Sequence, residues 1–156
     1  MPRSTAPDAR RALFQLLAGA AVPAGESKLL STVPALEGVT VVYGYLNDAT
    51  QMDDEMVHVG DVEFDQDWGA LGRMRREESY RVELIVFVKR EGDDQHGTED
   101  RCWDLVGAVE DLLRADVKLG GAVREAGMTR GKQSNNPDSE GWVSQMIGSI
   151  TCKATI

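Results

Sequence analysis

Residues Tyr80 to Ala115 read YRVELIVFVKR, then EGDDQHG, then TEDRCWDLVGAVEDLLRA, and a change of period inside this stretch decides the fold. The first piece repeats every two residues. Tyr80, Val82, Leu84, Val86 and Val88 share one side, and Arg81, Glu83, Ile85, Phe87 and Lys89 share the other, as in a strand. The turn residues of EGDDQHG end that strand. The last piece takes helical spacing, with Cys102, Leu105, Val106, Val109, Leu112 and Leu113 on one stripe. Thr98 is the expected N-cap of this helix, and Glu99 and Asp100 then fall in its first turn. A strand with one apolar face followed by an amphipathic helix makes a core on which the rest can pack. Ile85 and Phe87 are apolar on the second face of the strand, so either the N-terminal helix or a neighbouring subunit is expected to cover that face.

Working outward, residues 5–20 predict an N-terminal helix with Ser4 or Thr5 as cap and Pro7 in the first turn. Asp8 and Gln15 interrupt its apolar run, and Leu13, Leu16 and Leu17 lie on one face, so it reads as an amphipathic helix and not as a signal peptide. Residues 21–37 read as a connector with a short helical turn around Ser27 to Ser31. Val39 to Leu46 and Met56 to Phe64 read as strands, with a bulge at Gly60 where the apolar phase slips by one residue. Asp65 to Glu78 is an irregular segment carrying Trp68, Arg73, Arg75 and Arg76. After the long helix, stopped by Gly120-Gly121, the pattern predicts a short strand over Ala122 to Met128. A polar loop over Thr129 to Gly141 and a long last strand over Trp142 to Ile156 follow. The order α-β-β-β-α-β-β predicts one α+β domain over residues 1–156. It is a mostly antiparallel sheet with the long helix packed on one face and an additional N-terminal helix. Residues 1–20 form that helix and 39–156 the sheet-plus-helix core.

The 156 residues are 42% hydrophobic and 28% charged, as in an ordinary globular chain, and no apolar run approaches the roughly 20 residues that span a bilayer. The formal net charge of −9 argues against holding nucleic acid by its phosphates or binding an anionic membrane. Cys102 and Cys152 have no metal-ligand spacing and read as buried small side chains in a reducing compartment. The histidines are His58 and His96, and there is no GxSxG, GxGxxG or GxxxxGK[ST] motif. The acidic runs Asp53, Asp54, Glu55 and Asp93, Asp94 lack the spacing of a calcium loop. No catalytic, cofactor or metal site is therefore expected, and the chain is not expected to be an enzyme. Trp68 and Trp103 are the candidate contact aromatics, Trp103 because it lies just off the helix stripe.

Three segments carry a resemblance: VGDVEFDQ (Val59 to Gln66), RREESYRVELIVFV (Arg75 to Val88) and VGAVEDLLRADVKLGGAVR (Val106 to Arg124). In pattern and order they resemble the tail terminator, or tail completion, proteins of long-tailed bacteriophages. The resemblance implies a virion protein assembled in the host cytoplasm into a homo-oligomeric, hexameric ring at the head-proximal end of the tail. Its implied partners are the major tail tube protein and the head–tail connector protein. The ring would stop tube polymerisation, and DNA would pass through its bore without sequence-specific binding. An acidic lining suits a channel that must not retain phosphates. A ring is a heterologous assembly, so opposite patches of opposite charge are expected. Arg73, Arg75 and Arg76 are candidates for one, and Asp53 to Glu55 or Asp93 and Asp94 for the other. The rival readings are another connector, neck or tail-tube subunit, and a small ligand-binding or enzymatic α+β domain.

Overall fold

The computed structural model describes residues 4–19, 26–45, 53–65 and 77–155, apart from the side chain of Asp65. In chain order they form α1 (Ala6–Ala18), β1 (Lys28–Leu30), β2 (Thr40–Tyr43), β3 (Glu55–Asp65), β4 (Glu77–Glu91), α2 (Gln95–Ala115), β5 (Glu125–Pro137) and β6 (Gly141–Thr155). The strands make one six-stranded sheet in the order β1-β2-β3-β4-β6-β5. Every neighbouring pair is antiparallel except β2 with β3. The α+β architecture is the expected one.

Strand β4 is the axis of the sheet. Tyr80, Val82, Leu84, Val86 and Val88 are all buried, as their alternation requires. Helix α2 lies across this side and buries Cys102, Leu105, Val106, Val109 and Leu113. Each such Val or Leu contributes roughly 1.5–3 kcal/mol relative to exposure. Helix α1 covers the neighbouring part of the same side, with Leu13, Phe14 and Leu17 joining Val41, Val57 and Val59 in one core. The Phe14 ring meets Tyr43 edge-on at 5.6 Å, and the Arg10 guanidinium lies 4.3 Å from the Tyr43 ring centre. Both helices therefore occupy one side of the sheet.

The bulge falls where the phase slip placed it: the β3–β4 register shifts between Val59 and Val62. A Cβ at Gly60 would lie 3.0–3.1 Å from Glu83 and the Tyr45 hydroxyl, so a larger residue at the bulge would have to push these neighbours aside. Helix α1 stops at Gly19, whose φ of 75° is left-handed and whose N–H donates to the Gln15 carbonyl.

Four expectations are corrected. Helix α2 starts at Gln95, because Asp94 and not Thr98 is the cap: its carboxylate accepts from Gly97 N at 2.9 Å. Thr98 is buried inside the helix, its hydroxyl satisfied by the Asp94 carbonyl at 2.7 Å. Glu99 and Asp100 thus move out of the first turn. The supposed helical turn near Ser27 is strand β1, since Lys28–Leu30 finds hydrogen-bonding partners along β2. Thr129 to Gly141 is not a loop. Most of it is β5, which pairs with β6 as far as Pro137, and Ala122 to Arg124 precede the strand. Strand β5 ends the sheet order, so among the described residues no strand pairs its outer edge; Ala126 and Met128 join the core, and beyond them the side chains from Thr129 to Asn136 are polar on both sides. Of the segment read as irregular, Asp65 belongs to β3 and Glu77 and Glu78 to β4, and residues 66–76 lie outside the described residues.

Candidate subunit interface

The register across the sheet shows what the helices leave uncovered. Two rows of paired residues cross the side opposite α1 and α2. One runs Lys28, Val42, His58, Ile85, Ile147 and Lys132, and the other Leu30, Thr40, Met56, Phe87, Gln145 and Ser134. Together they make an apolar belt. No described helix lies on it. Val42 and Met56 are buried, Ile85 and Phe87 are half-buried, and Ile147 and Leu30 are 47% and 64% exposed. The sequence left two covers open for Phe87, the N-terminal helix or a second subunit. Helix α1 packs on the other side of the sheet and does not supply it.

His58 sits in this belt with only 7% exposure, and neither ring nitrogen has a hydrogen-bond partner. Burial holds the imidazole below its usual titration range, so the ring is neutral and apolar in character. Above the belt, the Tyr45 hydroxyl donates to the Glu83 carboxylate at 2.7 Å, which pushes the phenol up to about 12. Arg81 pairs with Glu63 at 3.4 Å across the same surface.

The candidate acidic residues are largely engaged within the chain. Asp53 accepts from the Thr40 hydroxyl at 2.8 Å and lies 3.3 Å from the Lys28 ammonium. The hydroxyl first, and then the ammonium, hold its carboxyl below the usual range against partial desolvation. The Asp54 carbonyl accepts from Lys89 N at 2.7 Å. Glu55 takes a two-pronged contact from Arg101 of α2 at 2.6 and 3.1 Å, tying helix to sheet. Asp93 accepts from the Trp142 indole at 3.2 Å, and Asp94 caps α2. Trp68, Arg73, Arg75 and Arg76 lie outside the described residues.

Trp103 is 51% exposed. Arg101 leaves α2 on the flank that faces β3, so Trp103, two residues on, leaves from the flank facing β5. Asp100 and Asp104 are exposed around it and form no ion pair among the described residues. On the belt side, Arg130 and Lys132 of β5 are exposed and also form none. Their segment reads as a loop in sequence, so no pattern there marks these two cations as interface residues. Glu78 is 2% exposed and accepts from Thr5 N at 3.0 Å, from Thr5 Oγ1 at 3.1 Å and from Ser4 Oγ. No local pattern marks that residue, because its partners are more than seventy positions away.

Both cysteines are free and buried. Burial raises both thiols, Cys152 to about 12, and the Ser144 hydroxyl only partly offsets this at Cys102. Such thiols are poor nucleophiles. Among the described residues no group of three or more His, Cys, Asp or Glu could hold a metal ion, and no helix is long and apolar enough to cross a membrane.

No protein-family model matches the chain, and neither does any curated protein. A solved structure does. A chain of the structure described as "Virion of native gene transfer agent (GTA) particle" superposes with a TM-score of 0.59 at 14% identity, over 99% of this chain and 100% of that one. At that identity the likeness establishes a shared fold along the whole length of both chains.

Proposed function

We propose that this chain is a structural protein of a phage-like virion. It assembles into a homo-oligomeric ring at the head-proximal end of the tail tube, where it ends tube growth and joins the tail to the head connector. The observation that carries the proposal is the end-to-end fold likeness to a chain of a gene transfer agent particle. The sequence resemblance to tail terminators, found in segments that form β3, β4 and α2, supports the same reading. The acidic balance of −9 suits a bore through which DNA slides without being held. We also propose that the role is structural and not enzymatic. The buried, raised thiols and the buried neutral His58 are poorly placed for nucleophilic or acid–base work.

Within this class, a terminator is favoured over a tube subunit by the β5–β6 hairpin. Strand β6 stays paired to β4 from Thr155 to Gly141, so the hairpin lies on the sheet and does not project as a stacking arm. Negative-stain imaging of the purified chain, alone and mixed with tail tubes, tests the proposal. Discrete rings, found at one end of the tubes when these are present, are the expected result. Self-assembled long tubes would make it a tube protein, and failure to associate with itself or with tube ends would reject the virion reading.

A further inference from the structure

Two exposed surfaces of the described residues are complementary. One flank of α2 carries an exposed indole, Trp103, with the exposed carboxylates Asp100 and Asp104 beside it; neither forms an ion pair among the described residues, although Asp104 attracts Arg101. The opposite side of the sheet carries, at its β6–β5 end, an exposed aliphatic side chain, Ile147, with the exposed cations Lys132 and Arg130 beside it, Lys132 being its direct neighbour across the β5–β6 pair. The first patch belongs to the helix layer and the second to the opposite side of the sheet, so one copy cannot bring them together. Two copies can.

We infer that the ring is built by a head-to-tail contact between copies of this chain, and this inference rests on the ring reading above. Trp103 of one copy seats on Ile147 and the neighbouring Ile85 and Phe87 of the next. Asp100 and Asp104 of the first copy face Arg130 and Lys132 of the second. An aromatic anchor surrounded by complementary charge is the arrangement that carries most of the energy at protein interfaces. The contact uses two different patches, so it propagates and closes only as a ring or continues as a filament. Charges at the rim of such a contact weaken with salt, and the apolar anchor does not.

Charge reversal with complementation tests the contact. Two full-length variants are needed, R130E/K132E and D100K/D104K. All four residues are exposed, so both variants should unfold at the wild-type temperature, which circular dichroism checks. Sedimentation velocity should show at least tenfold weaker self-association for each variant alone. An equimolar mixture should regain assembly, since every junction then pairs opposite charges. Trp103→Ala should weaken association by at least tenfold without altering the unfolding temperature. If both variants form rings as readily as wild type, or if the mixture fails where each variant fails, the contact is wrong although the ring function stands. Restored assembly in the form of open filaments keeps the contact and rejects the terminator role. A wild-type chain that never associates rejects both.

Discussion

The buried Glu78 offers the sharpest test of what holds α1 on the sheet. Its buried carboxylate accepts from Thr5 N and Thr5 Oγ1 at 3.0 and 3.1 Å and from Ser4 Oγ, so it fastens the start of α1 to β4. Thr5, the N-cap by position, makes no side-chain cap bond to its own helix. Its hydroxyl is shared instead with Tyr80, at 2.9 Å, whose phenol is raised chiefly by burial. Hydrogen bonds to a charged group contribute about 1.5–3 kcal/mol each, and an acceptor removed from a buried donor costs a further 1–3 kcal/mol or so. The bonds share one carboxylate, so these figures do not add. Glu78→Ala should therefore cost about 3 kcal/mol, which for a chain of this size lowers the midpoint by roughly 6–12 °C. Thr5→Val should cost about 1 kcal/mol, and the double variant less than the sum of the two, with a coupling near 1 kcal/mol. Thermal and urea unfolding followed by circular dichroism measure all three. A Glu78→Ala midpoint within about 1 °C of wild type, or strict additivity with Thr5→Val, would refute the idea that β4 supplies the cap of α1.

Two further predictions concern the sheet. Burial keeps His58 neutral in the fold, whereas the unfolded ring takes up a proton near its ordinary value of 6.5, so below that pH the unfolded state binds more protons than the native state. Stability should be fully present above 6.5 and fall as pH drops from 6.5 toward the depressed native value, by at most about 1.4 kcal/mol per pH unit. Denaturant midpoints from pH 8 to 5 should show this fall in wild type and a shallower one in His58→Met, and equal slopes would contradict it. Gly141 opens β6 so close to β4 that a Cβ there would lie 1.9 Å from the Arg90 carbonyl oxygen. Gly141→Ala should cost about 1–3 kcal/mol in urea unfolding by forcing the two strands apart, and an unchanged midpoint would contradict that close approach.

Periodicity alone identified what is local or strongly patterned. The strand through Tyr80 to Val88 and the stripe of α2 were legible because burial on one side imposes a period of two or of 3.6 on the side chains themselves. The slip at Gly60 was legible for the same reason. Position in the sheet was not. Strand β5 is an edge strand with polar residues on both sides, so no alternation distinguishes Thr129 to Pro137 from a loop, and only hydrogen bonding to β6 makes it a strand. Strand β1 is three residues long and exists because β2 lies beside it.

The candidate interface divides the same way. The sequence determined that Ile85 and Phe87 form a second apolar face and that Trp103 stands off the helix stripe, because each follows from counting residues along one element. The tertiary structure decided that α1 packs beside α2 and not on that face, and that Arg130 and Lys132 stand next to the exposed Ile147. It also decided that Asp53, Glu55, Asp93 and Asp94 are occupied within the chain. These are relations between residues far apart in the chain. They depend on strand order, register and layer, for which a single sequence carries no local signal.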